Sequence, residues 1–325
     1  MPPLSPFSKS CTALAVSQLL LINTSSHAAT ITVNSNSDNG SGCTLREAIA
    51  SANNTSNQNN GCGLGSTGTD TITFSNSLPA NNIILINGEL EIGSGKDIVI
   101  DASNLSGGMS VNANRLSRVL NIESASVTLQ NLNLRDGLVS GNPDDGGGIH
   151  VTDASLTLRN SNIINNTAFL QGGGILASNS TLNIYDSAVD NNVTTGGEYS
   201  GALGGGISIV NSTLTVANST ISDNASFYAG GLSINNTTVM INDSVMSGNN
   251  ASLTSYGSYG GAIFVHNTSD LTLNRSTLTG NSAYYGGAIE VSYNIGTVLI
   301  NNSTCLLYTS PSPRDLSTSR MPSSA

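Results

Sequence analysis

The chain has 325 residues, a formal net charge of −10 at pH 7 and only 9% charged residues. Its 38% hydrophobic residues and 35 glycines exclude a charged, disordered chain and favour regular strands separated by polar turns. Ten Lys and Arg against twenty Asp and Glu make nucleic acid and anionic membrane surfaces poor partners.

Residues 1–28 have the three-part pattern of a cleavable secretory signal peptide. Lys9 precedes an apolar run over 13–22, and the small residues that follow end at Ala28 and Ala29. The run is too short to cross a bilayer, so we predict no membrane span. This segment predicts an exported protein that lies outside the cell or on its surface, in association with an outer membrane.

Residues 29–110 are predicted to form an N-terminal cap that merges into early coils. Thr44 and Glu47 have the spacing of a capping box, which predicts a short helix over 45–53 with one apolar face. Such a cap would cover the first coil of a repeat stack, whose open end would otherwise expose core and strand edges. Short strands are predicted at 72–74, 83–86, 90–92 and 98–100.

Cys43 and Cys62 are the two cysteines that remain once the signal peptide and the C-terminal segment are set aside. Export places them in an oxidising compartment, where a cysteine pair is normally bridged. We therefore predict a disulfide between them.

An internal repeat of about 25 residues, lengthened by insertions, runs over residues 111–304. A typical copy has a Gly-Gly-x-Ile/Leu tetrad, then a segment of alternating aliphatic and polar residues, then one aliphatic residue between a Ser and an Asn. Leu120 fits the tetrad column one coil earlier, without the glycines. Alternation with period two places the aliphatic side chains on the inner face of a strand. The repeat predicts an all-β fold, a right-handed parallel β-helix with three short strands per coil. The tetrad column holds Leu120, Ile149, Ile175, Ile207, Leu232, Ile263 and Ile289; the second column holds Leu156, Leu182, Leu214, Val239, Leu271 and Val298; the third holds Ile163, Val189, Ile221, Met246 and Leu278.

One Asn recurs after the third aliphatic residue of each coil. Amide side chains stacked at one bend can hydrogen-bond to each other and satisfy the polar groups of the turn. We predict a structural ladder of Asn166, Asn192, Asn224, Asn249 and Asn281.

Residues 305–325 interrupt the repeat. The ladder spacing calls for Asn at position 308, where Tyr308 stands, and the segment is rich in Pro, unlike the coils. The amino-acid sequence of this segment resembles the translation of sequencing-adaptor DNA. We predict that it is an artefact and that the native C-terminus, with any anchor, is missing.

Two motifs resemble those of known bacterial surface proteins. Cys43-Thr44-Leu45-Arg46-Glu47-Ala48 is similar to the Cys-Ser-Leu-Arg-Glu-Ala (CSLREA) module that opens many surface β-helix proteins. Gly-Gly-Ala-Ile at 260–263 and 286–289 resembles the repeats of the chlamydial polymorphic outer membrane proteins. The resemblance implies a single-stranded β-helix of the pectin-lyase-like kind in an exported, adhesin-like protein with a C-terminal anchor.

A parallel β-helix also underlies pectate lyases and polygalacturonases, so a secreted polysaccharide lyase or hydrolase is the alternative. Asp144 and Asp145 are the candidate catalytic carboxylates, and Ca²⁺ is the cofactor that they would hold. Asp153, Arg135 and Arg159 would join them only if the coils bring these side chains into register. Solvated turn carboxylates are the simpler interpretation.

His150 and His266 each follow a strand residue but have no Cys or acidic partner close in sequence. Isolated histidines of this kind seldom bind metal, so no metal site and no obligatory cofactor is predicted.

Most of the tyrosines lie just ahead of a tetrad, where stacking of the coils would gather them along one side. The candidate ligand-binding residues are Tyr199, Tyr228, Tyr259 and Tyr285. Such a strip suits an extracellular glycan or a surface protein of a host or neighbouring cell. The alternatives are that the rings shield loop backbones or stack on each other, and that the whole protein is a structural spacer.

Overall fold

The computed structural model describes residues 28–54, 61–93, 95–141, 146–196, 201–251, 257–293 and 296–306. They form a parallel β-solenoid in which every complete coil contributes one strand to each of three long sheets, which have ten, nine and eight strands. One α-helix accompanies the strands in this part of the chain. The all-β, parallel solenoid predicted from the repeat is confirmed. The signal peptide predicted over 1–28 lies, except for Ala28, outside the described residues.

Sheet 1 holds the strands with the alternating aliphatic residues. In spatial order these are β1 (Thr30–Val33), β2 (Asp70–Phe74), β5 (Asp97–Asp101), β8 (Ser126–Gln130), β11 (Ser155–Arg159), β15 (Thr181–Tyr185), β19 (Thr213–Ala217), β22 (Thr238–Asn242), β26 (Asp270–Asn274) and β30 (Val298–Asn301).

Sheet 2 holds the strands of the third column. These are β3 (Asn82–Ile84), β6 (Met109–Asn112), β9 (Leu132–Arg135), β12 (Asn162–Ile164), β16 (Ala188–Asp190), β20 (Thr220–Ser222), β23 (Val245–Ser247), β27 (Thr277–Thr279) and β31 (Thr304–Leu306).

Sheet 3 holds the strands that begin at the tetrads. These are β4 (Leu90–Ile92), β7 (Leu120–Glu123), β10 (Ile149–Thr152), β14 (Ile175–Ser178), β18 (Ile207–Val210), β21 (Leu232–Asn235), β25 (Ile263–His266) and β29 (Ile289–Ser292). Two short pairs complete the described strands: β13 (Thr167–Ala168) with β17 (Val193–Thr194), and β24 (Asn250–Ala251) with β28 (Ser282–Ala283).

The three aliphatic columns predicted from the repeat are confirmed by the strand register. Ile149 pairs with Leu120 on one side and Ile175 on the other, Leu156 pairs with Leu182, and Ile163 pairs with Val189. Nearly all column members of the middle coils have no solvent exposure. Equivalent side chains therefore stack into a continuous apolar core along the solenoid axis.

The cap has the predicted helix, α1 (Leu45–Asn53), with Thr44 as its N-cap and a complete capping box to Glu47. Arg46 fastens the helix to the first coils: its Nη1 and Nη2 donate to the carbonyl oxygens of Glu89 and Gly88, each at 2.7 Å. Its Nε donates to Asp38 at 2.8 Å.

The structure contains a disulfide between Cys43 and Cys62, the pair singled out by sequence. Cys43 adjoins the helix N-cap and is buried in the core. The bridge therefore ties the start of the helix to the chain that follows the helix.

The C-terminal end of the solenoid differs in detail from the sequence expectation. β31 includes Cys305, which takes the place in the third column next to Leu278, so strand pairing continues to Leu306 rather than ending at 304. Ile300 and Leu306 are 49% and 57% exposed because no further coil covers them among the described residues. Residues 307–325, including Tyr308, lie outside the described part of the chain.

Candidate functional site

A row of stacked aromatic rings lies along one side of the solenoid. Tyr228, Tyr259 and Tyr285 come from three consecutive coils and are joined by parallel backbone bridges. Their rings stack with centroid separations of 5.5 Å (Tyr228–Tyr259) and 5.2 Å (Tyr259–Tyr285). Three of the four tyrosines singled out by sequence are thus brought together, whereas Tyr199 lies outside the described residues.

The tetrad explains how these rings are positioned. Its first residue has a left-handed backbone, as at Gly260 (φ 65°) and at Ala229 (φ 56°), and this reverses the direction of the chain. Its second residue approaches the next coils so closely that a Cβ on Gly205 would collide with the carbonyl oxygen of Ala225. The residue before the tetrad therefore folds back over the outer face of sheet 3.

This covering layer buries side chains that point away from the core. Leu176, Ser208 and Ser233 occupy outward positions of sheet 3 but are at most 5% exposed. In an earlier coil Gln171 occupies the position equivalent to the tyrosines, and its Oε1 accepts a hydrogen bond from Ser208 Oγ at 3.3 Å. The outer face of sheet 3 is thus covered by residues such as Gln171 in the earlier coils and by the tyrosines in the later coils.

Sequence reasoning missed two rings of the cluster. Phe264 follows the tetrad residue Ile263 on the outer face and stacks on Tyr259 at 5.8 Å and on Tyr228 at 6.1 Å. His266, two residues further along the same strand, stacks on Phe264 at 4.9 Å. The sequence places Phe264 at an outward position of a strand that follows one of these tyrosines, and this pattern could have indicated the contact.

We name Tyr228, Tyr259, Tyr285 and Phe264 the aromatic strip. Tyr228 and Tyr259 are half-buried, and Tyr285 is 48% exposed. Because the rings stack on each other, most of their faces are occupied, and the surface offers ring edges, hydroxyl groups and the terminal ring. Tyr284, which packs edge-on against Tyr285 at 4.7 Å, widens this exposed end. Phe227 is fully buried and takes no part in the surface.

The five asparagines of the predicted ladder form a continuous buried chain of hydrogen bonds. In each step the backbone N–H and the Nδ2 of one Asn donate to the Oδ1 of the next, as from Asn166 to Asn192 at 3.0 Å for both bonds. Each Nδ2 also donates to a carbonyl of the preceding coil. The remaining members are Asn224, Asn249 and Asn281.

A polar cluster lies on the outer face of sheet 3 near the cap. Arg118 Nη1 contacts Glu89 Oε2 at 2.6 Å, and Arg118 Nε donates to the Gly146 carbonyl at 2.9 Å. His150 Nε2 lies 3.0 Å from Thr152 Oγ1. Burial, together with the positive charge of Arg118, lowers the pKa of His150 from 6.5 to about 4, so its imidazole is neutral at physiological pH.

The structure describes three of the five residues considered for catalysis. Asp144 and Asp145 lie outside the described residues. Arg135 ends β9 and pairs with Asp136, Arg159 ends β11 and lies over the ring of Tyr185 at 4.8 Å, and Asp153 occupies a turn between sheets 3 and 1. These three residues lie on or just after strands of three different sheets. Because Asp144 and Asp145 are outside the described residues, a grouping with them stays a prediction.

Across the described residues, no group of three or more His, Cys, Asp or Glu side chains is arranged to hold a metal ion. Within the same ranges no helix is long and apolar enough to cross a membrane.

Comparisons with known proteins find the fold and little else. No family model matches the chain, and no curated protein matches it. The similar solved structures include a mutant of the PL6 family alginate lyase AlyGC (17% identity, TM-score 0.45, 93% of this chain and 41% of that one). They also include PfbA, a surface adhesin of Streptococcus pneumoniae (10%, 0.29, 81% and 87%), and the A-module of the Azotobacter vinelandii mannuronan C-5 epimerase AlgE6 (13%, 0.26, 86% and 91%). The chain spans less than half the length of the alginate lyase.

Proposed function

We propose that this protein is an exported, adhesin-like β-solenoid that binds a glycan or protein on another surface through the aromatic strip. The observation that carries the proposal is the gathering of Tyr228, Tyr259 and Tyr285 into one stack that is partly exposed to solvent. Tyrosine offers an apolar ring and a polar hydroxyl at low entropic cost, a combination that binding surfaces favour.

The shape of the strip defines what it can contact. The ring faces are largely occupied within the stack, so ligand contacts fall on the hydroxyl edges and on the exposed rings of Tyr284 and Tyr285. The fixed strand register holds these edges at coil spacing, ~4.8 Å apart, without any cost of ordering on binding. A repetitive or extended ligand suits such a row better than a compact one.

Binding to a panel of immobilised glycans and to intact cells tests the proposal. Replacement of Tyr228, Tyr259 and Tyr285 together by Ser should weaken binding by about ten-fold or more, which corresponds to the loss of ~1.4 kcal/mol. Tyr293→Ser is the matched control, since Tyr293 is 94% exposed and is not a member of the strip. Equal binding by the triple variant and the wild type would reject the aromatic strip as the binding surface.

A second variant separates the effect on ligand binding from the effect on the stability of the ring stack. Tyr259→Phe keeps the stacked ring but removes the hydroxyl, so it should preserve the melting temperature and weaken only a ligand that hydrogen-bonds to the strip. The triple Ser variant also removes packing over the outer face of sheet 3, and its melting temperature must therefore be measured beside its binding.

A second candidate function, cleavage of an acidic polysaccharide, is favoured by the cluster of Arg118 and His150. A neutral imidazole can accept a proton from a sugar carbon, and a guanidinium can balance the charge of a uronate carboxylate. Incubation with alginate and polygalacturonate, with absorbance of unsaturated products as the readout, tests this activity. Product formation that disappears in His150→Gln would favour it over adhesion.

A further inference from the structure

A shallow polar groove runs along the turns that join sheet 3 to sheet 1. It has a volume of about 500 Å³ and is lined from five consecutive coils, beginning at Asp153 and ending at Thr268. Five coils at ~4.8 Å spacing give it a length of roughly 19 Å along the solenoid axis. It lies on a different turn of the coil from the aromatic strip, which precedes sheet 3.

The floor of the groove is a second ladder of hydrogen bonds. Ser180, Ser212 and Thr237 are buried, and each hydroxyl accepts a bond from the backbone N–H of its counterpart in the preceding coil, or of Ala154 at the first step. Each also donates to the carbonyl two residues earlier, at 2.6–2.8 Å. The hydroxyl groups of the floor therefore already have hydrogen-bond partners within the protein.

The walls carry exposed amides and hydroxyls in two parallel rows. One row contains Asn179, Asn211 and Asn236, each at the left-handed turn position with φ of 50–51°. The other contains Thr181, Thr213 and Thr238, the first residues of their strands. Asn236 Nδ2 donates to Asn211 Oδ1 at 3.3 Å, and Thr213 Oγ1 lies 3.3 Å from Thr181 Oγ1, so both rows are ordered along the axis.

The chemistry of the lining restricts the ligand. Of the residues that line the groove, Asp153, at one end, is the charged one, so no cation is present there to bind a phosphate, sulfate or uronate. The turn N–H groups of Asn179 and Asn211 already donate to Val210 and Asn235 of the next coil. A peptide strand therefore finds no free backbone edge to extend.

We propose that this groove binds an uncharged polysaccharide chain laid parallel to the solenoid axis. Sugar hydroxyls both donate and accept hydrogen bonds, and the repeated Asn and Thr side chains offer both at each coil. A polymer with a regular repeat meets several coils at once, so contacts that are individually weak add along the groove. This site goes beyond the aromatic strip and does not depend on it.

Affinity electrophoresis of the secreted protein tests the groove. Native gels containing hydroxyethyl cellulose, galactomannan or dextran are compared with gels containing polygalacturonate. We expect retardation in at least one neutral gel and none in the anionic gel. Thr213→Glu, which places a charge in the middle of the groove, should weaken the retardation at least ten-fold.

Thr220→Glu is the matched control, because Thr220 is also an exposed first residue of a strand in the same coil but lies on sheet 2. Thr213→Val keeps the branched shape and removes the hydroxyl, so it tests the groove without an added charge. Retardation in no neutral gel, or equal weakening by Thr213→Glu and Thr220→Glu, would overturn the proposal.

The triple Ser variant of the aromatic strip distinguishes the two surfaces. If the groove binds the polymer, that variant should keep its retardation in the neutral gel. Loss of retardation in the strip variant together with full retardation of Thr213→Glu would assign polysaccharide binding to the strip and reject the groove.

Discussion

Asn192 donates two hydrogen bonds to one atom of Asn224: its backbone N–H and its Nδ2 lie 2.9 and 3.0 Å from Asn224 Oδ1. Both residues are fully buried. Asn224 Nδ2 in turn donates to the Val189 carbonyl of the preceding coil and to Asn249 Oδ1 of the next. One amide side chain thus bonds to polar groups of the coils on both sides of its own, and the ladder fixes the bend as well as the spacing of the stack.

Asn224→Ala should be one of the most destabilising single changes in the middle coils. It leaves the buried N–H of Asn192 and one of the two hydrogens on its Nδ2 without an acceptor, and each unsatisfied group costs ~1–3 kcal/mol. We expect a loss of about 3 kcal/mol or more in urea unfolding. Asn183→Ala, on the outer face of sheet 1, is the control and should cost under ~1 kcal/mol. Similar losses for both variants would show that the ladder contributes little.

The first and second positions of the tetrad should respond in opposite ways to an exchange between Ala and Gly. Ala229 occupies the first position with φ 56°, so Ala229→Gly should raise the free energy of unfolding by ~1 kcal/mol through relief of left-handed strain. Gly205 occupies the second position, where a Cβ would collide with the Ala225 backbone, and Gly205→Ala should destabilise by several kcal/mol, of the order of other overpacked cores. Thermal melts of the two variants check the prediction, and destabilisation by Ala229→Gly would contradict it.

Loss of the disulfide should affect the cap and leave the distant coils intact. The bridge between Cys43 and Cys62 closes a loop with a sequence separation of 19, for which chain entropy predicts ~3 kcal/mol. In a solenoid each coil contacts mainly its neighbours, so the loss should stay local. Hydrogen exchange of a variant with both cysteines replaced by Ala should show faster exchange over 45–53 and unchanged protection in β14 to β25. A uniform loss of protection would mean that the whole stack unfolds as one unit.

The features that the sequence predicts are those with strict periodicity. The tetrad column repeats Ile or Leu, and the ladder from Asn166 to Asn281 repeats Asn, each at one place in the coil, so the columns and the buried amides follow from spacing alone. The hydroxyl ladder through Ser180 and Thr237 escaped notice because Ser and Thr also fill the exposed positions beside it. Period-two alternation also indicates that the side chain of Ser208 points away from the core and is exposed to solvent. The side chain does point outward, but it is buried.

That last difference has a physical cause in the loops. The strip residues fold back over sheet 3, and nothing in a strand pattern indicates which side of a sheet a preceding loop will cover. The same folding explains why the tyrosines stack on each other: the fixed register places equivalent rings at coil spacing, close to the separation of stacked aromatic groups. The position of the tyrosines along the chain predicts that the rings lie in one row. Only the structure shows how many ring faces remain free for a ligand.

The stability of the fold should fall with pH between about 6.5 and about 4 because of His150. Burial and Arg118 lower the pKa of His150 in the folded chain to about 4, whereas the unfolded chain has the ordinary value near 6.5. Between these values the unfolded state binds more protons, so stability is fully present above about pH 6.5 and is lost as the pH falls to about 4. After allowance for partial solvent screening, we expect this group to contribute about 1–3 kcal/mol. Urea midpoints measured from pH 4 to 7 should fall less steeply for His150→Gln than for the wild type, and parallel curves for the two proteins would contradict the assignment.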